Sequence, residues 1–283
     1  MSLIFTNRRF RPLRVLPGFG ISLGVSLLFV SLILLLPTTG LIMQTSTMSV
    51  AQYWQVISDP RVVASYQVTL LAALLASLLN GGFGLLLAWV LVRYEFPGKR
   101  LLDALVDLPF ALPTAVAGIT LATLYAENGY IGSAFAQMGI KVAYTPLGIM
   151  VAMMFTSIPF VVRTVQPVLE ALSNDEEEAG MTLGASDSTI FRRIILPALW
   201  PALMMGMALS FTRSLGEFGA VIFIAGNMPY VSEIISLMIF VRLQEFDFAG
   251  ASAIASVVLL TSLTLLLLIN LWQGRYLRRI HAH

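Results

Sequence analysis

The sequence predicts an all-α membrane protein with six transmembrane helices and both termini on the cytoplasmic side. Three observations carry this. Of 283 residues, 58% are hydrophobic and 11% charged, with mean hydropathy +0.86; an ordinary soluble domain carries about 25% charged residues. The few charges are separated by apolar stretches that reach the length of about 20 residues needed to cross a bilayer. Lys and Arg are also distributed unevenly among the segments between those stretches.

The first charge-free stretch is 15–58, with its apolar core at 19–43. Arg8, Arg9, Arg11 and Arg14 precede it, as in a secretory signal, but the run is longer than a signal's apolar region and no A-x-A site follows, so a retained anchor is expected. The second span lies within 62–92, the third within 108–126 and the fourth within 142–162. The fifth runs from Pro197 to about Ile224, interrupted by Arg213 and Glu217, and the sixth has its core at 251–272. Pro109 and Pro113 open the third span, Pro159 lies inside the fourth, and Asn80 to Gly84 is glycine-rich within the second. Breaks at membrane depth are tolerated where they line a cavity or pack on protein, although Pro and Gly are also simply common in membrane helices.

Orientation follows from the basic residues. The N-terminal arginines, Arg93, Lys99, Arg100, Arg163, Arg192, Arg193, Arg275, Arg278 and Arg279 fall on one side of a six-span arrangement. Arg61, Lys141 and Arg242 fall on the other, which makes the first side cytoplasmic. Backbone groups in lipid must be paired within their segment, so the spans are read as helices; the alternation of a membrane barrel is absent. There is no cysteine, and the two histidines are His281 and His283. A disulfide framework, a thiolate or histidine metal site and a histidine base inside the fold are therefore not expected. No basic surface suited to nucleic acid is visible.

The segment 168–197 is the most informative. Ser173 and Glu176 have capping-box spacing, and Asp175, Glu176, Glu177 and Glu178 fall where the helix dipole favours negative charge. Gly184 is placed to end this helix in a left-handed cap, and Ser186 or Asp187 to start another. Ile190, Phe191, Ile194 and Ile195 then share a face, with Arg192 and Arg193 away from it. The amphipathic helix is suited either to the lipid surface or to a protein partner, and the acidic run speaks for the partner.

On the fifth span, Ala202, Gly206, Ser210, Arg213 and Glu217 share a small, polar face. Arg213 and Glu217 at i, i+4 are spaced to pair. Two readings stand: a structural ion pair between helices, or a pathway in which Arg213 offers a passing anion a transient positive charge that Glu217 positions and tempers. Asp107 and Glu217 are the only candidate ion-coupling carboxylates for a secondary anion transporter, a reading that leaves the 168–197 segment unexplained. No catalytic constellation suggests an intramembrane enzyme. A phosphate-binding loop is missing too, since Gly98-Lys99 is followed by Arg100 and has Arg93 where its first glycine is needed.

Glu178-Ala179-Gly180, three residues, Gly184, nine residues, then Ile194-x-Leu196-Pro197 resembles the EAA loop of ABC-importer membrane subunits. Gly180 departs from the pattern by replacing an alanine, which costs about 1 kcal/mol of helix propensity. The segments Asp103–Thr114, Thr156–Pro167 and Ser210–Asn227, and the approach Arg14 to Phe19, are similar to the sulfate/thiosulfate permease subunits of that family. Molybdate/tungstate permeases are similar around Leu215-Gly216-Glu217-Phe218-Gly219.

The resemblance implies a type I ABC-importer permease fold in the cell inner membrane. Its parts would be a cytoplasmic segment 1–18, a first helix 19–43, a core 62–274 containing the coupling loop 168–197, and a cytoplasmic tail 275–283. It implies two cytoplasmic ATP-binding subunits, a second related permease subunit and a periplasmic sulfate/thiosulfate-binding protein. Lipid surrounds the assembly, and no cofactor, metal or nucleic acid is implied. Glu178, Ala179, Gly180, Gly184, Ile190, Phe191, Ile194, Leu196 and Pro197 would carry the coupling to the ATPase, with the Ile190–Ile195 face docking into it. Arg213, Glu217, Ser210 and Asp107 would line the pathway.

Overall fold

The computed structural model describes residues 18–280, and all secondary structure among them is helical. The N-terminal residues up to 17, with the arginines expected to hold that end in the cytoplasm, lie outside the described residues, as do His281 and His283. The helices are α1 (Phe19–Ser46), α2 (Val50–Ile57), α3 (Pro60–Arg93), α4 (Lys99–Val106), α5 (Leu108–Ala111), α6 (Thr114–Tyr125), α7 (Gly132–Gln137), α8 (Pro146–Ala171), α9 (Asn174–Thr182), α10 (Asp187–Leu215), α11 (Val221–Ile224), α12 (Ile235–Gln244) and α13 (Phe248–Ile280). Five are long and apolar enough to cross a membrane: α1, α3, α8, α10 and, over Phe248–Ile269, α13.

Local chemistry sets the ends. Asp59 caps α3, its Oδ1 accepting the backbone N–H groups of Arg61 (2.9 Å) and Val62 (3.4 Å), with Pro60 in the first turn. Two π turns, Ser31–Leu35 in α1 and Phe191–Ile195 in α10, each lie just ahead of a helical proline, Pro37 and Pro197. A proline withholds one donor and crowds the carbonyl four residues back, and the wider turn relieves both. The helix therefore continues from Asp187 into the span, where a separate amphipathic helix followed by a fresh start at Pro197 was expected.

Three further expectations change. The third span is not one helix. Pro113 pushes Leu112 into extended backbone (φ −85°, ψ 136°), and the 12-residue α6 starts anew after it. The fifth span ends at Leu215 with the C-cap at Gly216, so Glu217 lies in the turn after the helix, and α11 is a separate short piece. The loop expected over 168–197 is shorter at both ends, because α8 passes through Pro167 to Ala171 and α10 begins at Asp187. The Asn80–Gly84 and Ser157–Pro159 stretches, by contrast, lie in unbroken helix. The short apolar helix α12 was not anticipated.

Packing gives the directions. Ala72 and Ala76 of α3 cluster with Ile149 and Met153 of α8, while Ala88 and Leu91 cluster with Val165 and Leu169. The two helices therefore run parallel. The chain must return between them, and it does: Val106 packs at the Val165 level and Leu121 at the Ile149 level. Helix α10 runs the opposite way to α8, with Leu199 near Leu169 and Leu215 near Met153. Gly206 lets α10 close on α8, since a Cβ there would stand 2.9 Å from Val161 Cα. Val62, Ile235, Met238 and Ile254 join α3, α12 and α13 at the far end. Helix α1 buries no residue and touches the bundle through α13.

Candidate functional site: a docking loop and a buried ion pair

At the end of the bundle that carries Arg93 and Lys99, Ser173 caps α9 by accepting the N–H of Asp175 at 3.2 Å. The bond goes to the second residue of the helix, so the cap forms without the expected box to Glu176. Asp175, Glu176 and Glu177 fill the first turn. Glu177 pairs with Arg93 at the end of α3, and the Arg93 guanidinium lies 5.4 Å from the Trp89 ring centre. Helix α9 ends as the sequence predicts. Gly184 is left-handed at φ 77°, its N–H bonds Met181 O (2.9 Å), and Ala185 N–H bonds Gly180 O (3.0 Å). Gly180 faces Ile190 and Ile194; a Cβ on it would stand 3.2 Å from Ile190 Cγ1.

The expected docking face points the other way. Ile190 and Ile195 are buried, and Phe191 packs edge-on against Trp89 at 5.4 Å. An apolar face next to a helix bundle is covered by that bundle first, so this one anchors the loop instead of presenting it. The loop offers outward Glu178 and Ala179, with Met181 and Leu183, the last 88% exposed, beside the Gly184 turn. Leu196 and Pro197 lie inside α10.

Deeper in the bundle, the Arg213–Glu217 pair forms, Nη1 to Oε2 at 2.8 Å. The partners are unequal: the Arg213 side chain is 34% exposed and that of Glu217 only 1%. Glu217 Oε1 also accepts the N–H of Ala220 at 2.9 Å, which fixes the turn between α10 and α11. That turn is pressed on the start of α6, where a Cβ on Gly219 would come within 2.1 Å of Thr114 Oγ1.

Ser210 and Arg213 share a helix but not an environment. Ser210 is fully buried and donates to Ser157 Oγ of α8 at 2.9 Å. Asn80 Nδ2 of α3 donates to Ser157 Oγ (2.9 Å), Met154 O (3.1 Å) and Ser210 Oγ (3.3 Å), and Ser214 donates to Ser157 as well. The small face holding Ala202, Gly206 and Ser210 is thus a helix-packing face. Asp107 is not near this node. It takes Arg163 Nε (2.9 Å) and Nη2 (2.7 Å) at the basic end, and Asp103 takes Nη1 (2.6 Å).

Sequence reasoning gave Asn80, Ser157 and Glu177 no partners and missed the pair formed by Arg61 and the buried Glu233 (2.7 Å). A polar residue on the glycine-rich face of α3 was a visible sign for Asn80. Nothing local marked Glu233, whose partner is 172 residues away.

Residues 80–282 match the family model described as binding-protein-dependent transport system inner membrane component. The chain is 67% identical over 270 residues to the sulfate transport system permease protein CysT of Salmonella typhimurium, covering 95% of this chain and 98% of that one. The namesake in Escherichia coli is 66% identical over the same shares, and that of a Synechocystis strain is 47% identical over 89% of both. Among solved structures, a chain of a bacterial ABC transporter involved in the import of the acidic polysaccharide alginate shares the fold. Its TM-score is 0.75 at 16% identity, over 90% of this chain and 94% of that one. A second alginate transporter structure, in complex with a pentasaccharide-bound periplasmic protein, gives a TM-score of 0.74 at 16% identity, over 91% of this chain and 94% of that one.

Proposed function

Because the chain belongs to the family of binding-protein-dependent transport system inner membrane components, we propose that it is the membrane-spanning permease subunit of an ABC importer for sulfate and thiosulfate. The observation that carries the substrate class is the 67% identity to a sulfate transport permease over nearly the whole of both chains. Energy comes from ATP hydrolysis on two cytoplasmic subunits. A second, related permease subunit completes the membrane part, and a periplasmic binding protein delivers the anion.

Six crossings with both termini in the cytoplasm are the topology we infer. The parallel course of α3 and α8 supports a return crossing by the broken α5–α6 segment, which joins the five long helices. The basic residues at the Arg93 end support a cytoplasmic position for that end. The ATPase subunits then meet Glu178, Ala179, Met181 and Leu183 around the Gly184 turn. Gly180, Ile190, Phe191 and Ile194 hold that turn to the bundle, so its displacement moves α3 and α10. Leu196 and Pro197 belong to the lever that receives the motion. Arg213, partly exposed beside a buried carboxylate, gives a dianion a positive station that is already half-compensated, which suits transfer better than capture. Ser210 sets the rotation of α10 that places Arg213, and Asp107 with Arg163 braces the cytoplasmic end.

Uptake of labelled sulfate into proteoliposomes containing the complete importer tests this. Uptake should need ATP and the binding protein, stop with vanadate and survive collapse of the proton gradient. Loss of uptake on collapsing the gradient, with vanadate inert, would identify a secondary transporter. Competition by molybdate stronger than by thiosulfate would move the chain to the molybdate/tungstate permeases.

A further inference from the structure

Between α3 and the docking loop lies a groove of about 670 Å³, with Met181 of the loop at its edge. One wall is the outer face of α3, where Gly82, Leu86 and Trp89 follow at helical spacing; the other is made by Ile190 and Phe191 of α10. Gly82 leaves it open, since a Cβ built there meets nothing within 4 Å. Leu86 is 58% exposed. From Gly82 to Tyr94 the groove follows the helix for roughly 18 Å at 1.5 Å per residue. Half of a hydrocarbon core ~30 Å thick is ~15 Å, so the groove has the depth of one leaflet. It ends at Trp89 and Tyr94, residues that favour the headgroup level.

The polar rim selects the headgroup. Glu177 is engaged by Arg93, which also covers Trp89. Asp187 stands exposed at the rim that Glu177 also lines. With the Glu177 charge matched by Arg93, Asp187 is the rim carboxylate left to attract an ammonium and repel an anionic headgroup. The groove also opens along the apolar side of the bundle, where a peptide backbone would leave polar groups unpaired; an acyl chain needs no such pairing.

We propose that this groove holds one acyl chain of an aminophospholipid of the cytoplasmic leaflet, its ammonium on Asp187 and its tail along Gly82 and Leu86. The choice of leaflet rests on the topology inferred above. The lipid touches α3 on one side and α10 on the other, so it fills the space between docking loop and bundle and stiffens the link through which ATPase motion passes.

The test takes the complete importer in nanodiscs of equimolar phosphatidylethanolamine and phosphatidylglycerol, followed by gentle release and native mass spectrometry. The wild type should retain phosphatidylethanolamine in preference. Gly82→Phe fills the open floor and should abolish that preference. Asp187→Lys leaves the apolar walls alone and should shift the ratio toward phosphatidylglycerol by roughly fivefold, the scale of one exposed ion pair. Equal retention of both lipids by the wild type, or an unchanged ratio in Asp187→Lys, overturns the proposal; the latter decides alone if Gly82→Phe does not assemble. Sulfate uptake in proteoliposomes of the same lipids separates the two readings. ATP-driven uptake without selective retention removes the lipid site and leaves the importer. Selective retention without ATP-driven uptake of any oxyanion leaves the lipid site and removes the importer.

Discussion

Glu217 is the buried member of the ion pair, and its carboxylate serves both the guanidinium and the Ala220 N–H. Glu217→Ala forfeits the bond to the Ala220 N–H and leaves a third-exposed guanidinium that water can partly serve, so it should lower the amount of assembled permease in the membrane moderately. Arg213→Ala leaves the buried Glu217 carboxylate without its counter-charge, the costly way to break such a pair, so assembled permease should fall in that variant, whereas Arg213→Lys keeps the charge and should assemble. If Arg213 serves the anion, Arg213→Ala loses sulfate uptake per assembled permease and Arg213→Lys keeps part of it. Normal uptake by Arg213→Ala would exclude the pathway role. Rescue of both assembly and uptake in the double change with Glu217→Ala would make the pair purely structural. A gentler residue-scale test is Gly180→Ala. It gains about 1 kcal/mol of helix propensity, and its Cβ meets Ile190 Cγ1 at 3.2 Å and Ile194 Cδ1 at 3.4 Å, side chains and not backbone. A shift of a few tenths of an ångström in Ile190 accommodates it, so thermal unfolding of the purified importer should move slightly upward, and a downward shift would show that Ile190 is too tightly packed to give. Gly180→Val overfills the same contact and should destabilise by about 1–3 kcal/mol.

The docking loop behaves as one element held at two places. The Gly184 turn shapes its tip, and the Ile190, Phe191 and Trp89 contact ties its base to α3. A side chain at φ 77° costs about 1–2 kcal/mol, so Gly184→Val should distort the tip while the spans stay folded. The expected result is permease present in the membrane, uptake lost, and a weaker crosslink from a cysteine at Leu183 to the ATPase. Unchanged coupling of hydrolysis to uptake in Gly184→Val would remove the docking role. The start of α6 and the end of α10 form a second composite element. Gly219→Val places methyl groups where Thr114 Oγ1 lies and should disrupt assembly, read as loss of the permease from the membrane fraction.

For the whole molecule, the absence of native cysteine makes single-cysteine labelling clean. Tyr130→Cys and Tyr230→Cys, both at exposed positions in the loops away from Arg93, should react with a membrane-impermeant maleimide from outside the cell. Glu95→Cys should react only in inverted vesicles. Labelling of Glu95→Cys from outside would reverse the orientation, and failure of Tyr130→Cys to label from outside would remove the crossing by the α5–α6 segment.

The amino-acid order alone carried what depends on short range or on amount. Hydropathy marked the long helices, because one unpaired backbone group in lipid outweighs any local preference. The Gly184 turn, the Ser173 cap and the i, i+4 pair were legible because each is made within a few residues. The EAA spacing carried the family. Tertiary structure decided which way each face turned. Amphipathicity says that Ile190 to Ile195 seek an apolar partner but not whether that partner is α3 or another protein. Ala202, Gly206 and Ser210 shared a face with Arg213 in the sequence, and in the fold they pack against the neighbouring helices while Arg213 stays partly exposed, because small residues serve close helix approach as well as a pore. Pro109, Pro113, Pro159 and Pro167 read alike in sequence, yet the third span breaks after Ala111 while α8 runs through both of its prolines. A lost backbone bond is tolerated or not according to what surrounds it, and those surroundings come from residues far away in the chain.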